Sequence, residues 1–454
     1  MRGVPLMLTS QPLDSPRYTN WNLDVSTLSL RDRSFNALSE RTFYGWVIVA
    51  IAGLGAFASG PGQSHTFSVF VGPISRDLDI SSTTIASAYG LATLAAAFLL
   101  PVLGRRVDSI GPRKVMVIVT LLLGVACIGF GAASNILWLG FGFGALRFLG
   151  QGSMLLTSAN LVSQWFDRKR GFALGLMIIG FGASMAVHPP LAQYLIEAVG
   201  WRSAWIILGA LTWIIMLPPA LLLLHNKPED KGLLPDGARH EADDGTGASQ
   251  ARAQAGLTLK EALETSTFYI ITAGVFAIAM LITALHFYQV SIFTTQGLTA
   301  KTAAFVFPIS ATTMVIAMPI IGRMFDTVRT RFMFIAVLLV TTASLVLVTL
   351  VTSLPIAVIY AMIFGLNNAL MMNMISYIWP RYFGRKHLGS IQGTGQMVGV
   401  VGASVGPLPI GLAFDLIGNA TLTLQLLAIF PAACAVLALF LRTPPAMAEY
   451  APAD

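Results

Sequence analysis

The sequence predicts an all-α membrane protein of twelve transmembrane helices arranged as two pseudo-symmetric six-helix bundles. Three observations predict it: apolar runs of bilayer length, basic residues confined to alternate loops, and short motifs recurring about 218 residues apart. Of 454 residues, 55% are hydrophobic and 11% charged, against about 25% charged in soluble domains. A helix needs about 20 apolar residues to cross the hydrocarbon core, and this chain supplies one such run after another. A water-soluble fold is excluded.

Residues 1–42 are polar and hold no apolar core followed by a cleavage site, so they read as a cytoplasmic N-terminal tail rather than a signal peptide. The first bundle, 43–224, holds spans Tyr44–Val71, Ser82–Leu103, Lys114–Ala133, Ile136–Trp165, Gly171–Ala198 and Ser203–Leu224. A polar cytoplasmic linker follows at 225–265. The second bundle, 266–442, holds spans Thr267–Thr295, Ala300–Ile321, Phe332–Val351, Leu354–Trp379, Leu388–Ile417 and Thr421–Leu441, before a cytoplasmic tail at 443–454. These are spans 1 to 12 below.

Lys and Arg set the orientation. Tails, linker and the loops after spans 2, 4, 8 and 10 hold 24 of them; the other side holds three, Arg76, Arg202 and Lys301. The positive-inside rule then puts both chain ends in the cytoplasm, of the plasma or bacterial inner membrane. The repeats agree: GRRVD at Gly104 matches GRMFD at Gly322, WFDRK at Trp165 matches YFGRK at Tyr382, TFYGW at Thr42 is echoed at Thr267, and GAS at Gly182 recurs at Gly402. Repeated halves are a common way to build a transporter, with the substrate site near the midplane between them.

The stretch GRRVDSIGPRK after span 2 spends five charges in eleven residues. Here the sequence resembles the major facilitator superfamily, whose signature after its second helix is a Gly, an Asp four residues on, then Gly and basic residues. Gly104, Asp108, Gly111, Arg113 and Lys114 match it, and Gly322 and Asp326 supply the copy after span 8. The resemblance implies a conformational gate. Glycine permits close helix approach, and a carboxylate at a helix end can pair with a cation or face another helix's positive N-terminus. The alternative is that the cluster merely obeys the positive-inside rule.

Arg147 is the one Lys, Arg, Asp or Glu well inside a span, and such residues face a bundle interior or a wet cavity. In ALRFLGQGSMLLTSAN, Arg147, Gln151 and Ser158 share a helical face. The segment is similar to the superfamily's Arg and Gln-Gly signature, with one extra residue between Arg147 and Gln151-Gly152. Arg147 reads either as an anion-binding or coupling cation, or as a structural Arg bound to backbone carbonyls. His65, His188 and His286 all fall in the outer half, and each is either a hydrogen-bonded structural residue or a site residue. His286 has the stronger case, because Thr283, His286 and Gln289 form a polar stripe. His65 follows Pro61-Gly62, where a break in span 1 would open backbone groups to a cavity. Span 10 adds Asn367, Asn368, Asn373 and Tyr377 in a Met-rich stretch that also suits packing.

No carboxylate lies deep in any span, which favours an anionic over a cationic substrate, with histidine the candidate carrier of a coupled proton. FYGWVIVA, RFLGQGS, SQWFDRKRGFALGL and GWRSAW resemble the monocarboxylate porter and oxalate–formate exchanger branch of the superfamily. That resemblance implies a secondary transporter of a small organic anion, a monocarboxylate in the branch's pattern, working by alternating access. The span 1 position where animal members carry a substrate-linked Lys holds His65. The branch's carboxylate-binding Arg of the eighth helix is replaced by Met318, and its basic residue in the eleventh helix is missing, so Arg147 must supply the charge. The alternatives are an exporter of a neutral or cationic metabolite or drug on the same fold, and a non-transporting membrane sensor. The expected partners are a small-molecule substrate, protons and the lipid bilayer, with no nucleic acid and a functional monomer. Cys127 and Cys434 sit apart in apolar runs, and no metal spacing, nucleophile–base pair or nucleotide loop stands out. No cofactor, metal site or enzymatic activity is therefore expected.

Overall fold

The computed structural model describes residues 30–39, 42–167, 169–237, 256–384 and 387–445. Most of the N-terminal tail, Arg168, the linker's centre, Arg385-Lys386 and the C-terminal tail from 446 lie outside the described residues. Each expected span is helical, and local chemistry explains many of the starts. Ser81, Asn135, Thr265 and Thr299 accept hydrogen bonds from the backbone N–H groups of Thr84, Trp138, Phe268 and Thr302, capping spans 2, 4, 7 and 8. Proline opens span 3 at Pro112, where its missing N–H costs nothing.

Several boundaries differ from the sequence reading. Span 2 continues as helix to Ile110, so Gly104 and Asp108 lie on a helix rather than in the following loop. The turn falls at Gly111, whose φ of +86° is open to glycine and strained for other residues. Spans 5 and 6 run almost without a loop from Arg170 to Leu222, kinked at Gly200 with φ +80°. Span 1 is the most altered. Helix Gly45–Ala58 gives way to a 3₁₀ turn at Gly60–Gly62, a short helix Ser64–Phe67, and a last segment Val71–Leu78. Pro61 lacks the N–H that would continue the ladder.

The two halves pair their spans alike. Span 1 lies on span 5 with Gly180 against the Gly53 carbonyl, and span 7 lies on span 11 with Gly402 and Gly406 against the Phe276 and Met280 carbonyls. Span 2 packs on span 4 as span 8 packs on span 10, and span 3 on span 6 as span 9 on span 12. Small residues are what allow backbones to approach this closely in a membrane.

One face carries helix Leu30–Ser39 and the linker and is called the tail face here; the opposite one is the far face. Ties between the halves gather in the far-face half. The Asp415 carboxylate of span 11 accepts from the Ser82 and Thr83 backbone N–H groups at 2.9 and 2.7 Å, capping span 2. Tyr288 donates to the Ser82 carbonyl at 2.9 Å, and the Val290 N–H donates to Ser68 Oγ at 3.1 Å. Gly90 approaches the Ser404 carbonyl, and Gly182 approaches Val315.

Candidate functional site

The break in span 1 presents backbone and hydroxyl groups to span 4. Arg147, 3% exposed, donates from Nε to Thr93 Oγ1 at 3.0 Å and from Nη1 to the Gly62 carbonyl at 3.2 Å and Ser64 Oγ at 3.4 Å. Its guanidinium lies over the Tyr89 ring, 4.9 Å from the centroid, a contact worth about 2 kcal/mol when desolvated. Tyr89 OH and Ser64 Oγ are hydrogen-bonded at 2.7 Å. Every one of these partners is neutral, and among the described residues no carboxylate pairs with Arg147.

Span 4 is distorted where Arg147 sits. Between helices Ile136–Leu146 and Leu155–Trp165 the segment Arg147–Met154 is π-helical. A π-bulge takes an extra residue into a helix and is frequent at functional sites, so it absorbs the one residue added between Arg147 and Gln151-Gly152. Gly150 and Gly62 make room for it: a Cβ on Gly62 would run into the Leu146 carbonyl and Gly150 Cα. Within the bulge Gln151 Oε1 is buried without a hydrogen-bond partner, as is Ser158 Oγ one turn beyond it.

The three histidines meet beside this cluster. Ser184 Oγ lies 3.4 Å from His65 Nε2 and 3.1 Å from His188 Nδ1, linking spans 1 and 5. Gly60 faces the His188 ring with no room for a Cβ. Across the boundary between halves, the His65 and His286 rings are 6.2 Å apart. His286 packs on Phe364, centroids 4.7 Å apart, and its Nε2 is buried without a hydrogen-bond partner. Among the described residues the histidines do not form a metal-ligating set.

The second half contributes amides. Gln289 is fully buried; its Oε1 accepts from Tyr360 OH at 3.4 Å, and its Nε2 has no partner. Asn367 Oδ1 accepts from Thr341 at 3.0 Å while its Nδ2 is likewise unpartnered. Asn368 is turned back to the Phe364 carbonyl at 2.8 Å. Tyr377 stands apart from this group. It lies toward the tail face and donates to the Asp326 carboxylate, so the structure groups it with the gate copy.

The gate residues are split. Asp108 and Lys114 are exposed, and Asp108 makes no hydrogen bond or ion pair among the described residues. Arg113 is used inside the first half, donating from Nη2 to the Leu221 carbonyl at 3.3 Å and from its backbone to Asn226 at 3.1 Å. Gly322 lies beside Asn373 Oδ1. Sequence reasoning missed Ser64, Tyr89, Thr93, Ser184, Tyr360 and Asp415. Tyr89 and Thr93 stand four apart in an otherwise apolar stretch of span 2, a stripe the sequence does show.

A break in span 1, a distorted span 4 bearing a buried cation, and paired six-helix halves define a transporter-type membrane fold. The chain belongs to the Major Facilitator Superfamily, whose family model matches residues 46–407 and 290–454. It is 29% identical over 207 residues to the riboflavin transporter RibJ of Trypanosoma brucei brucei, covering 44% of this chain and 38% of that one. It is 30% identical over 182 residues to human monocarboxylate transporter 11, covering 40% of this chain and 38% of that one. It is 29% identical over 165 residues to the probable sulfoacetate transporter SauU of Cupriavidus necator, covering 32% of this chain and 37% of that one. The matches thus span well under half of each relative. A bacterial homologue of the human lysosomal transporter Spinster, in an inward-facing and occupied conformation, superposes with a TM-score of 0.65 at 14% identity, covering 93% of this chain and 99% of that one. That likeness concerns the fold. The expected superfamily is borne out, and monocarboxylate transporters stand among the relatives beside riboflavin and sulfoacetate transporters.

Proposed function

We propose that the chain is a secondary active transporter that moves a small organic anion, a monocarboxylate in the first instance, by alternating access. The observation that carries this reading is Arg147: a buried guanidinium whose partners are two hydroxyls, one carbonyl and one ring. Burying a charge without a counter-charge is costly, and a substrate carboxylate would supply one while the site is occupied. The nitrogens of His286 and Gln289, unpartnered among the described residues, offer further polar contacts from the opposite half, and a histidine is the group suited to carry a coupled proton. With both chain ends cytoplasmic, the far face is extracellular. Asp415, Tyr288 and Ser68 then hold the outer side closed, while Asp108, without an ion pair among the described residues, is the gate of the opposite state.

A second reading has a specific support. Tyr89, Phe287, Tyr360 and Phe364 gather around the polar groups, with Tyr89 and Phe287 4.3 Å apart and Tyr360 and Phe364 stacked at 5.4 Å. Such rings suit a flat, neutral or cationic compound leaving the cell. The test is uptake into liposomes holding the purified protein, with labelled mono- and dicarboxylates, with and without an inward proton gradient. Saturable carboxylate uptake that is lost in folded Arg147→Gln protein supports the anion reading. Transport of a neutral or cationic compound with no carboxylate uptake overturns it in favour of the exporter.

A further inference from the structure

Far from the midplane, on the tail face of the first half, a second group of cations is gathered around a buried histidine. Helix Leu30–Ser39 lies on this face through Phe35, which packs on His225 and Tyr44 with centroids 5.1 and 4.5 Å away. Arg31 is one turn before Phe35 and so shares its face. His225, 4% exposed, is held from its other side by Trp165 Nε1, which donates to its carbonyl at 3.3 Å. Next to it Asn226 Oδ1 receives the Arg113 backbone N–H, and the Arg113 side chain returns to the Leu221 carbonyl. Lys231 closes the group, 2.5 Å from Asp32 Oδ1 and over the Phe35 ring.

The hydrogen-bond accounting does not close here. Among the described residues, Arg31 Nε, Arg113 Nε and His225 Nε2 are all buried and all lack a partner, whereas buried polar groups are normally satisfied. Charge does not close either: among the described residues, three cations, Arg31, Arg113 and Lys231, act on His225 against one carboxylate, Asp32. We infer that Arg31, Arg113 and His225 form a binding site for a phosphate-type oxyanion, separate from the transport site and independent of its substrate. Guanidinium groups match the bidentate geometry of phosphate oxygens, and such an anion would satisfy the three free nitrogens together. The protonation of His225 answers to the same surroundings: burial first, then the nearby Lys231 and Arg31 cations, push it down to about 4, with Asp32 opposing and Arg113 adding to the effect. The site lies where spans 3 and 6 reach the tail face. The oxyanion therefore has two sources, the headgroup of an anionic phospholipid or a free phosphate.

The test uses the purified full-length protein and its melting temperature. In detergent, inorganic phosphate is titrated against chloride at fixed ionic strength. In parallel, the protein is placed in nanodiscs of phosphatidylcholine with or without phosphatidylglycerol. Wild type is compared with Arg31→Gln, with Arg31→Lys (which keeps the charge but loses the planar fork), and with Lys260→Gln on the same face as a control. A stabilisation by phosphate that saturates, is lost in Arg31→Gln, weakened in Arg31→Lys and kept in Lys260→Gln supports a free-anion site. Stabilisation by phosphatidylglycerol with the same variant pattern, abolishing the phosphate response, supports the headgroup. No stabilisation by either, or an equal response in Arg31→Gln, overturns the site. Should Arg31→Gln not fold, Arg31→Lys against Lys260→Gln decides by the same criterion.

Discussion

The two halves of this molecule share their helix pairing and differ in their wiring. In the first half, Arg147 is tied to spans 1 and 2 by three hydrogen bonds and the face of Tyr89, span 1 is broken, and span 4 carries a π-bulge. In the second, span 7 runs unbroken from Ser266 to Thr295, and among the described residues His286, which faces His65 across the boundary, and Gln289 one turn on keep unpartnered nitrogens. The lesson is that duplication supplied a symmetric frame while the chemistry was divided. One half holds a fixed cation, and the other offers neutral donors that await a partner. In the proposed transport cycle, a substrate bridging them would experience the relative movement of the halves directly.

Removing the cation is the strongest way to break this comparison. Arg147→Gln should lower carboxylate uptake by about 100-fold, since a hydrogen-bonded buried charge contributes about 1.5–3 kcal/mol. Arg147→Lys should recover only part, lacking the planar fork. Undiminished uptake by Arg147→Gln would reduce Arg147 to a brace between spans 1, 2 and 4. On the other half, Gln289→Leu removes the unpartnered Nε2. A purely structural Gln would give lower stability and intact kinetics. A substrate-facing one should give roughly tenfold lower uptake with an unchanged or raised melting temperature, because an unsatisfied buried donor is lost.

Much of this was legible in the sequence, for identifiable reasons. The helical spans follow from bilayer thickness, and Arg147 stood out because a charge in hydrocarbon is costly; the structure places it, buried, between spans 1, 2 and 4. The sequence showed an extra residue between Arg147 and Gln151-Gly152, and the structure shows that segment to be π-helical. What could not be read were partners distant in sequence. Thr93 is 54 residues from Arg147, Ser184 is 119 from His65, and Asp415 is 333 from Ser82. Each depends on how helices are set against one another, which local pattern does not encode. Tyr377 misled for the same reason. It shares span 10 with Asn367 and Asn368, but at ten residues' distance it reaches Asp326 near the tail face instead.

A gentler change tests whether the halves are held together where the structure shows it. Asp415 of the second half caps span 2 of the first, an arrangement worth about 0.3–1 kcal/mol for a carboxylate at a helix N-terminus. Asp415→Asn keeps the shape and loses the charge. It should shift the balance of states a few-fold toward one with the far face open. Electron–electron distance measurements between labels at Val199 and Leu350, on opposite halves of that face, would show a longer population growing. An unchanged distribution would mean that helix packing alone keeps the far face shut.

The smallest effect concerns the tail face, where His225, at the start of the linker, sits buried under Phe35 and Tyr44. Its protonation is held down to about 4 by burial and by the cations Lys231, Arg31 and Arg113, with Asp32 opposing. Freed in the unfolded chain it would titrate near 6.5. Between those values the unfolded state binds the proton more readily, so stability falls as pH falls. The contribution is complete above pH 6.5, declines toward pH 4 and changes no further below it. Its size should be under about 1 kcal/mol, since the helix covering it is held by few contacts and can let water in. The measurement is the difference in melting temperature between wild type and His225→Gln from pH 7 to pH 4. It should move in favour of the variant as pH drops. Bound phosphate should flatten that slope by stabilising the imidazolium, because an opposite charge favours the protonated form. A slope that steepened with phosphate would place the anion elsewhere and leave the first half's tail face a structural brace alone.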